Sequence, residues 1–198
     1  MKTIQYKAMA LMTLAIVLLS GCTKDSDVDY PLAPTTLLAE DFNNADLTVT
    51  GWKKYAEIGT KNWTQEVFSG DGYAQFNSFD GGTEPISVGW LISPPINMDT
   101  QTGEKLAFVN CQDGFVRNID NTFELFVSTD FDGTNVSAAS WERIPFNVAN
   151  QNTERFLYIN SGIIDLSEYT GTLYFAFKVR GTSSLTGGYQ VDKVRLFY

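Results

Sequence analysis

The chain contains no histidine. Acid–base or nucleophilic chemistry would therefore fall to carboxylates, lysine, tyrosine or cysteine, without the usual base near neutral pH. Ser-His-Asp and Cys-His catalysis are excluded, as are histidine-ligated zinc, copper and iron centres. Cys111 sits in the apolar run Leu106-Ala107-Phe108-Val109-Asn110-Cys111 and reads as a buried small hydrophobe with no base to activate it. Glycoside hydrolysis needs two carboxyls about 5 to 9.5 Å apart across a cleft. Glu124 and Asp165 stand isolated, and no Glu-x-Asp-x-x-Glu run is present. The run Asp130-Phe131-Asp132-Gly133-Thr134-Asn135 begins like a calcium loop, but Trp141 falls where its twelfth-position glutamate belongs. A glycine-containing hairpin turn is the expected reading.

A further set of residues suits ligand stacking. Trp52, Tyr55, Trp63, Tyr73, Phe131 and Trp141 lie at or near expected turns, and aromatic rings offer flat, rigid contact area to sugar faces. The alternative for each is core packing, because sandwiches bury Trp and Phe routinely. Trp63 and Phe131 are expected to be the exposed pair, since polar residues flank both. The candidate ligand-binding residues are thus Trp63, Phe131, Trp52 and Trp141.

The elements that must position these residues read as strands. Thr35–Phe42, Tyr73–Phe76, Ile86–Ile92, Lys105–Cys111, Thr122–Ser128, Trp141–Val148, Phe156–Ile159, Thr172–Val179 and Tyr189–Tyr198 are rich in β-branched and aromatic residues. Gly- and Asp-rich clusters such as Ser69-Gly70-Asp71-Gly72 and Gly187-Gly188 separate several of them. No stretch sustains a 3.6-residue period, so an all-β antiparallel sandwich or barrel is expected. In the last strand the polar/apolar alternation slips between Asp192 and Lys193, which predicts a β-bulge that re-aims Asp192.

The first residues form a signal segment: Lys2 and Lys7, an apolar centre from Ala8 to Leu19, then small residues before Cys22. The apolar centre is shorter than the ~20 residues that span a bilayer. Leu19-Ser20-Gly21-Cys22 resembles the bacterial lipobox, which implies lipidation at Cys22. Thr23-Lys24-Asp25-Ser26-Asp27-Val28-Asp29 is similar to the surface-export signal of Bacteroidetes lipoproteins, and also suits a solvated tether. The expected organisation is a lipoprotein signal peptide at 1–21, an acidic tether at 22–34 and one domain at 35–198. The formal net charge of −9 makes nucleic acid a poor partner.

Glu40-Asp41-Phe42, Gly51-Trp52, Trp90-Leu91-Ile92-Ser93-Pro94-Pro95-Ile96, Val127-Ser128-Thr129-Asp130-Phe131-Asp132-Gly133, Ile164-Asp165-Leu166-Ser167, Phe175-Ala176-Phe177-Lys178 and Tyr189-Gln190-Val191-Asp192-Lys193-Val194 occur in an order that carries a resemblance. Together they resemble the choice-of-anchor J and cleaved-adhesin-like domains of Bacteroidetes surface proteins, over about Leu38 to Tyr198. The resemblance implies a jelly-roll β-sandwich related to MAM domains and carbohydrate-binding modules. It also implies a structural Ca²⁺ between the first and last strands, with Glu40 and Asp192 as ligands and Asp41 and Asn43 as nearby oxygen donors. The expected function is non-catalytic recognition on a lipid-anchored outer-membrane protein facing the cell exterior. A neutral glycan leads as ligand, ahead of a protein-binding adhesin or accessory subunit and then a glycoside hydrolase.

Overall fold

The computed structural model describes residues 33–79, 85–114, 121–183 and 187–198, and Pro34–Tyr198 form one compact unit. The expected signal peptide, Cys22 and the tether up to residue 32 lie outside the described residues.

In chain order the strands are β1 (Thr36–Glu40), β2 (Lys53–Ile58), β3 (Thr64–Phe68), β4 (Asp71–Asn77), β5 (Ile86–Ile92), β6 (Ile96–Asn97), β7 (Lys105–Gly114), β8 (Thr122–Ser128), β9 (Glu142–Ile144), β10 (Ile159–Asn160), β11 (Ile164–Asp165), β12 (Thr172–Thr182) and β13 (Gly187–Phe197). No helix occurs among the described residues. One sheet runs β10-β7-β13-β4-β3, with β1 beside β13 and β11 beside β7. The other runs β2-β5-β12-β8-β9, with β6 beside β12. All pairs are antiparallel. This is the expected all-β jelly-roll β-sandwich.

The two sheets enclose an aromatic core. Trp52, Trp63, Phe76, Phe108, Phe175 and Phe177 are fully buried there. Trp52 lies parallel to Phe177 at 6.1 Å, and Phe108 meets Phe177 edge-on at 4.8 Å. The chain fits tightly at Gly89 on β5, where a Cβ would come within 2.2 Å of the Phe76 ring.

β12 reads Leu173-Tyr174-Phe175-Ala176-Phe177, an unbroken apolar run where a one-faced strand would alternate. Both its faces are covered. The odd-numbered residues enter the main core, while Tyr174 and Ala176 join Trp90, Ile92, Phe131 and Val136 in a second cluster outside the sheet. The connection between β8 and β9 folds back over that face to close the cluster. Its carboxylates are consumed in shaping it. Asp132 Oδ1 accepts from the Thr134 and Asn135 amides and the Thr134 hydroxyl. Asp130 Oδ1 accepts from the Ser128 hydroxyl and the Ser140 amide. Hydrogen bonds to the ionised form hold both carboxyls below the usual range. The segment is a hairpin connection, as expected.

Candidate functional site

The outer face of the seven-stranded sheet carries a groove. Its floor comes from β13, where Val191, Val194 and Leu196 point into the core and Gln190 and Asp192 point out. Pairing between β13 and β7 shifts between Asp192 and Arg195, and Lys193 is left-handed at φ 53°. This is the bulge expected from the slipped alternation. It leaves Asp192 and Lys193 both lining the groove.

The walls are aromatic. Phe68 ends β3, Tyr73 lies on β4, Val109 on β7, and Phe156 and Tyr158 precede β10; together they bound a cavity of about 540 Å³. Phe68 is 75% exposed, Phe156 48% and Tyr158 37%. Of the four non-glycine residues with positive φ among the described residues, Phe156 and Lys193 line this groove, and Ser69 directly follows Phe68. Such backbone costs about 1–3 kcal/mol per residue and collects at binding sites.

The floor is a connected polar row. The Tyr158 hydroxyl donates to Gln190 Oε1 at 2.7 Å and the Cys111 thiol to the same oxygen at 3.2 Å. Gln190 Nε2 donates to Gln75 Oε1 at 2.8 Å. With two donors on its carbonyl, the Gln190 amide has one orientation. Burial, with Cys111 and Asp192 nearby, pushes the Tyr158 phenol up, so it stays a donor at ordinary pH. Asp192 is 4% exposed, and its Oδ1 takes the Lys193 amide at 2.5 Å. Lys193 Nζ lies 3.6 Å from both Asp192 and Asp71. Burial raises the Asp192 pKa above the usual value, against the pull of Lys193.

The expected ligand residues are placed elsewhere. Trp63, expected exposed, is 0% exposed; it packs on Phe76, and its indole N–H donates to Gly89 O at 3.2 Å. Its polar neighbours belong to the chain, while the ring points inward. Phe131, also expected exposed, is 6% exposed under the β8–β9 connection, at 5.4 Å from Trp141 and 4.9 Å from Tyr174. Trp52 is buried in the main core. Trp141 is half-buried, with its indole N–H on Val136 O. Trp52, Tyr55 and Phe131 border a second cleft of about 500 Å³, together with Lys53 and Thr134. With Trp52 and Phe131 this deeply buried, that cleft offers little ring area for stacking. Among the six aromatic candidates Tyr73 alone lines the groove. Phe68, Phe156 and Tyr158 were missed, although polar Gln190 and Asp192 in a central strand signal an outward, functional face.

The donor set expected for Ca²⁺ does not fit an ion. Glu40 is 4% exposed and already satisfied: Oε1 accepts the Phe42 amide, and Oε2 accepts the Thr50 hydroxyl and the Trp52 indole N–H. Asn43 Oδ1 accepts the Gly72 amide, Asp41 is exposed and accepts the Asn43 amide, and Asp192 is engaged with Lys193 on the groove. Among the described residues no group of three acidic or Cys side chains could hold a metal. Glu40 instead ties β1 to the Thr50–Trp52 segment.

No known family model matches the sequence, and no curated protein matches it at significant similarity. Solved structures do. The K3 cleaved adhesin domain of Lys-gingipain from Porphyromonas gingivalis aligns over 82% of this chain and 98% of its own, at 17% identity and a TM-score of 0.62. The K1 domain of the same protein aligns over 82% and 97%, at 20% identity and 0.55. The module TmCBM61, solved in complex with β-1,4-galactotriose, aligns over 82% and 98%, at 14% identity and 0.54. At these identities the likeness is one of fold, and it meets the expected resemblance to cleaved-adhesin-like domains at that level.

Proposed function

We propose that this chain is a non-catalytic surface binding module that takes a glycan in the groove on the outer face of the seven-stranded sheet. The observation that carries this is the pairing of exposed aromatic walls, Phe68, Phe156 and Tyr158, with a buried, oriented polar floor, Gln190 and Asp192. Flat rings stack on the C–H faces of a sugar, and a fixed amide and carboxylate select its hydroxyls. The fold shared with adhesin domains and a galactotriose-binding module is compatible with this reading. Hydrolysis is disfavoured by the Lys193 ammonium, which sits 3.6 Å from both groove carboxylates, where a catalytic pair needs room for substrate and water. In this reading the chain is of the choice-of-anchor J kind. It is lipidated at Cys22, tethered to the outer membrane and turned outward, and the acidic surface keeps it off nucleic acid.

A glycan-array and affinity-gel screen tests the assignment. Binding should occur and be lost in Phe156→Ala and Tyr158→Ala, and persist in Trp141→Ala. Binding that survives both groove variants would overturn it. Capture of a surface protein with no glycan bound would favour the adhesin reading, for which the apolar rim at Val67, Phe68 and Leu157 is the docking area. Mass spectrometry of the membrane fraction tests the anchor: a diacylglyceryl-modified Cys22 is expected, and an unmodified one would refute it.

A further inference from the structure

Resting on the glycan reading, we infer that the groove selects sugars carrying an acetamido group, the 2-acetamido-2-deoxyhexoses, over plain hexoses and over their free amines. Both carbonyl lone pairs of Gln190 are occupied by Tyr158 and Cys111, so the amide faces outward as a donor. One of its hydrogens goes to Gln75, which leaves the second for a ligand. Asp192, two residues along the same strand face, offers an acceptor; its Oδ1 is committed to the Lys193 amide and its Oδ2 has the ammonium at 3.6 Å. Positions i and i+2 of a strand stand roughly 7 Å apart. A planar trans amide with one hydrogen bond at each end spans about that distance. The acetamido N–H would donate to Asp192, and its carbonyl would accept from Gln190.

The apolar walls complete the match. Val109, Tyr73 and Phe156 border this floor and suit the acetyl methyl group. A plain hexose places a hydroxyl there instead, with less to bury and a polar group to desolvate. A free amine lacks both the carbonyl that would accept from Gln190 and the methyl that the walls would bury, and its ammonium meets Lys193 as well as the Asp71 and Asp192 carboxylates.

The test is calorimetry of the purified full chain with tetra-N-acetylchitotetraose, cellotetraose and fully deacetylated chitosan tetraose. The acetylated ligand should bind about tenfold tighter than cellotetraose or more, as expected when a site's buried polar groups are matched rather than left unpaired. The deacetylated ligand should also bind more weakly than the acetylated one. Asp192→Asn should shrink the acetamido preference, weakening the acetylated ligand more than it weakens cellotetraose. Lys193→Met should restore part of the binding to the free amine. Equal or tighter binding of cellotetraose, or a preference for the free amine, would overturn the inference. If other glycans bind in the groove and the acetylated ligand does not, the inference fails and the glycan reading stands. If no glycan binds at all, both fail.

Discussion

Replacing Glu40 with alanine tests how β1 is joined to the Thr50–Trp52 segment. The carboxylate is 4% exposed and accepts three hydrogen bonds, from the Phe42 amide at 2.8 Å, the Trp52 indole at 3.1 Å and the Thr50 hydroxyl. Truncation leaves the Phe42 amide and the Trp52 indole, both on buried residues, without their partner, while the exposed Thr50 can turn its hydroxyl to water; each buried, unsatisfied group costs about 1–3 kcal/mol. The donors share one site, so their losses do not add fully, and about 3–5 kcal/mol is expected. That is a large share of the roughly 5–15 kcal/mol typical of a domain. Glu40→Gln keeps the shape but turns an NH₂ toward one set of donors, so about 1–3 kcal/mol is expected. Urea unfolding of the full chain, with and without Ca²⁺, is the assay. A loss below about 1 kcal/mol for the alanine variant, against that expected range, would refute the hydrogen-bond account. A wild-type midpoint that falls on adding EDTA would restore the ion between the terminal strands.

Trp63→Ala is expected to destabilise the protein by about 3–5 kcal/mol, since it empties a core site, and the drop in melting temperature measures it. Gly89→Ala should cost about 1–3 kcal/mol by forcing a methyl against the Phe76 ring, read by the same scan. Asp192→Asn should stabilise the fold at neutral pH. A carboxyl whose pKa is raised in the folded state is penalised once the pH climbs past its unfolded pKa, and fully so above its folded one. The gain should therefore vanish below the ordinary carboxylate pKa. A pH-independent effect would refute the burial explanation.

Much of the fold was legible because its strands obey simple patterns. β5 and β8 begin and end where the apolar runs do, at Ile86–Ile92 and Thr122–Ser128. β2 and β3 were not legible. Lys53-Lys54-Tyr55-Ala56-Glu57-Ile58 and Thr64-Gln65-Glu66-Val67-Phe68 are edge strands, and edges carry charges that mask the strand pattern. The site was half legible. The slip at Asp192-Lys193 announced a bulge that the structure contains, directly after a buried carboxylate that lines the groove. Of the aromatics that line the groove, Phe68, Phe156 and Tyr158 were not found, because polar neighbours in sequence do not reveal which way a ring points. Trp63 is ringed by polar residues in the chain and by the core in space, whereas Tyr158 reaches the groove from the short segment that leads into β10. Glu40 was recognised as important at the right place but for another reason: its partners are N–H and O–H donors brought in by the Thr50–Trp52 segment.

The most direct test of the groove assignment is backbone amide chemical-shift mapping during titration with a glycan found to bind. Shifts concentrated at 71–73, 109–111, 156–158 and 190–193 are the expected result. Shifts concentrated instead at 48–55 and 131–136, around the second cleft, would contradict it.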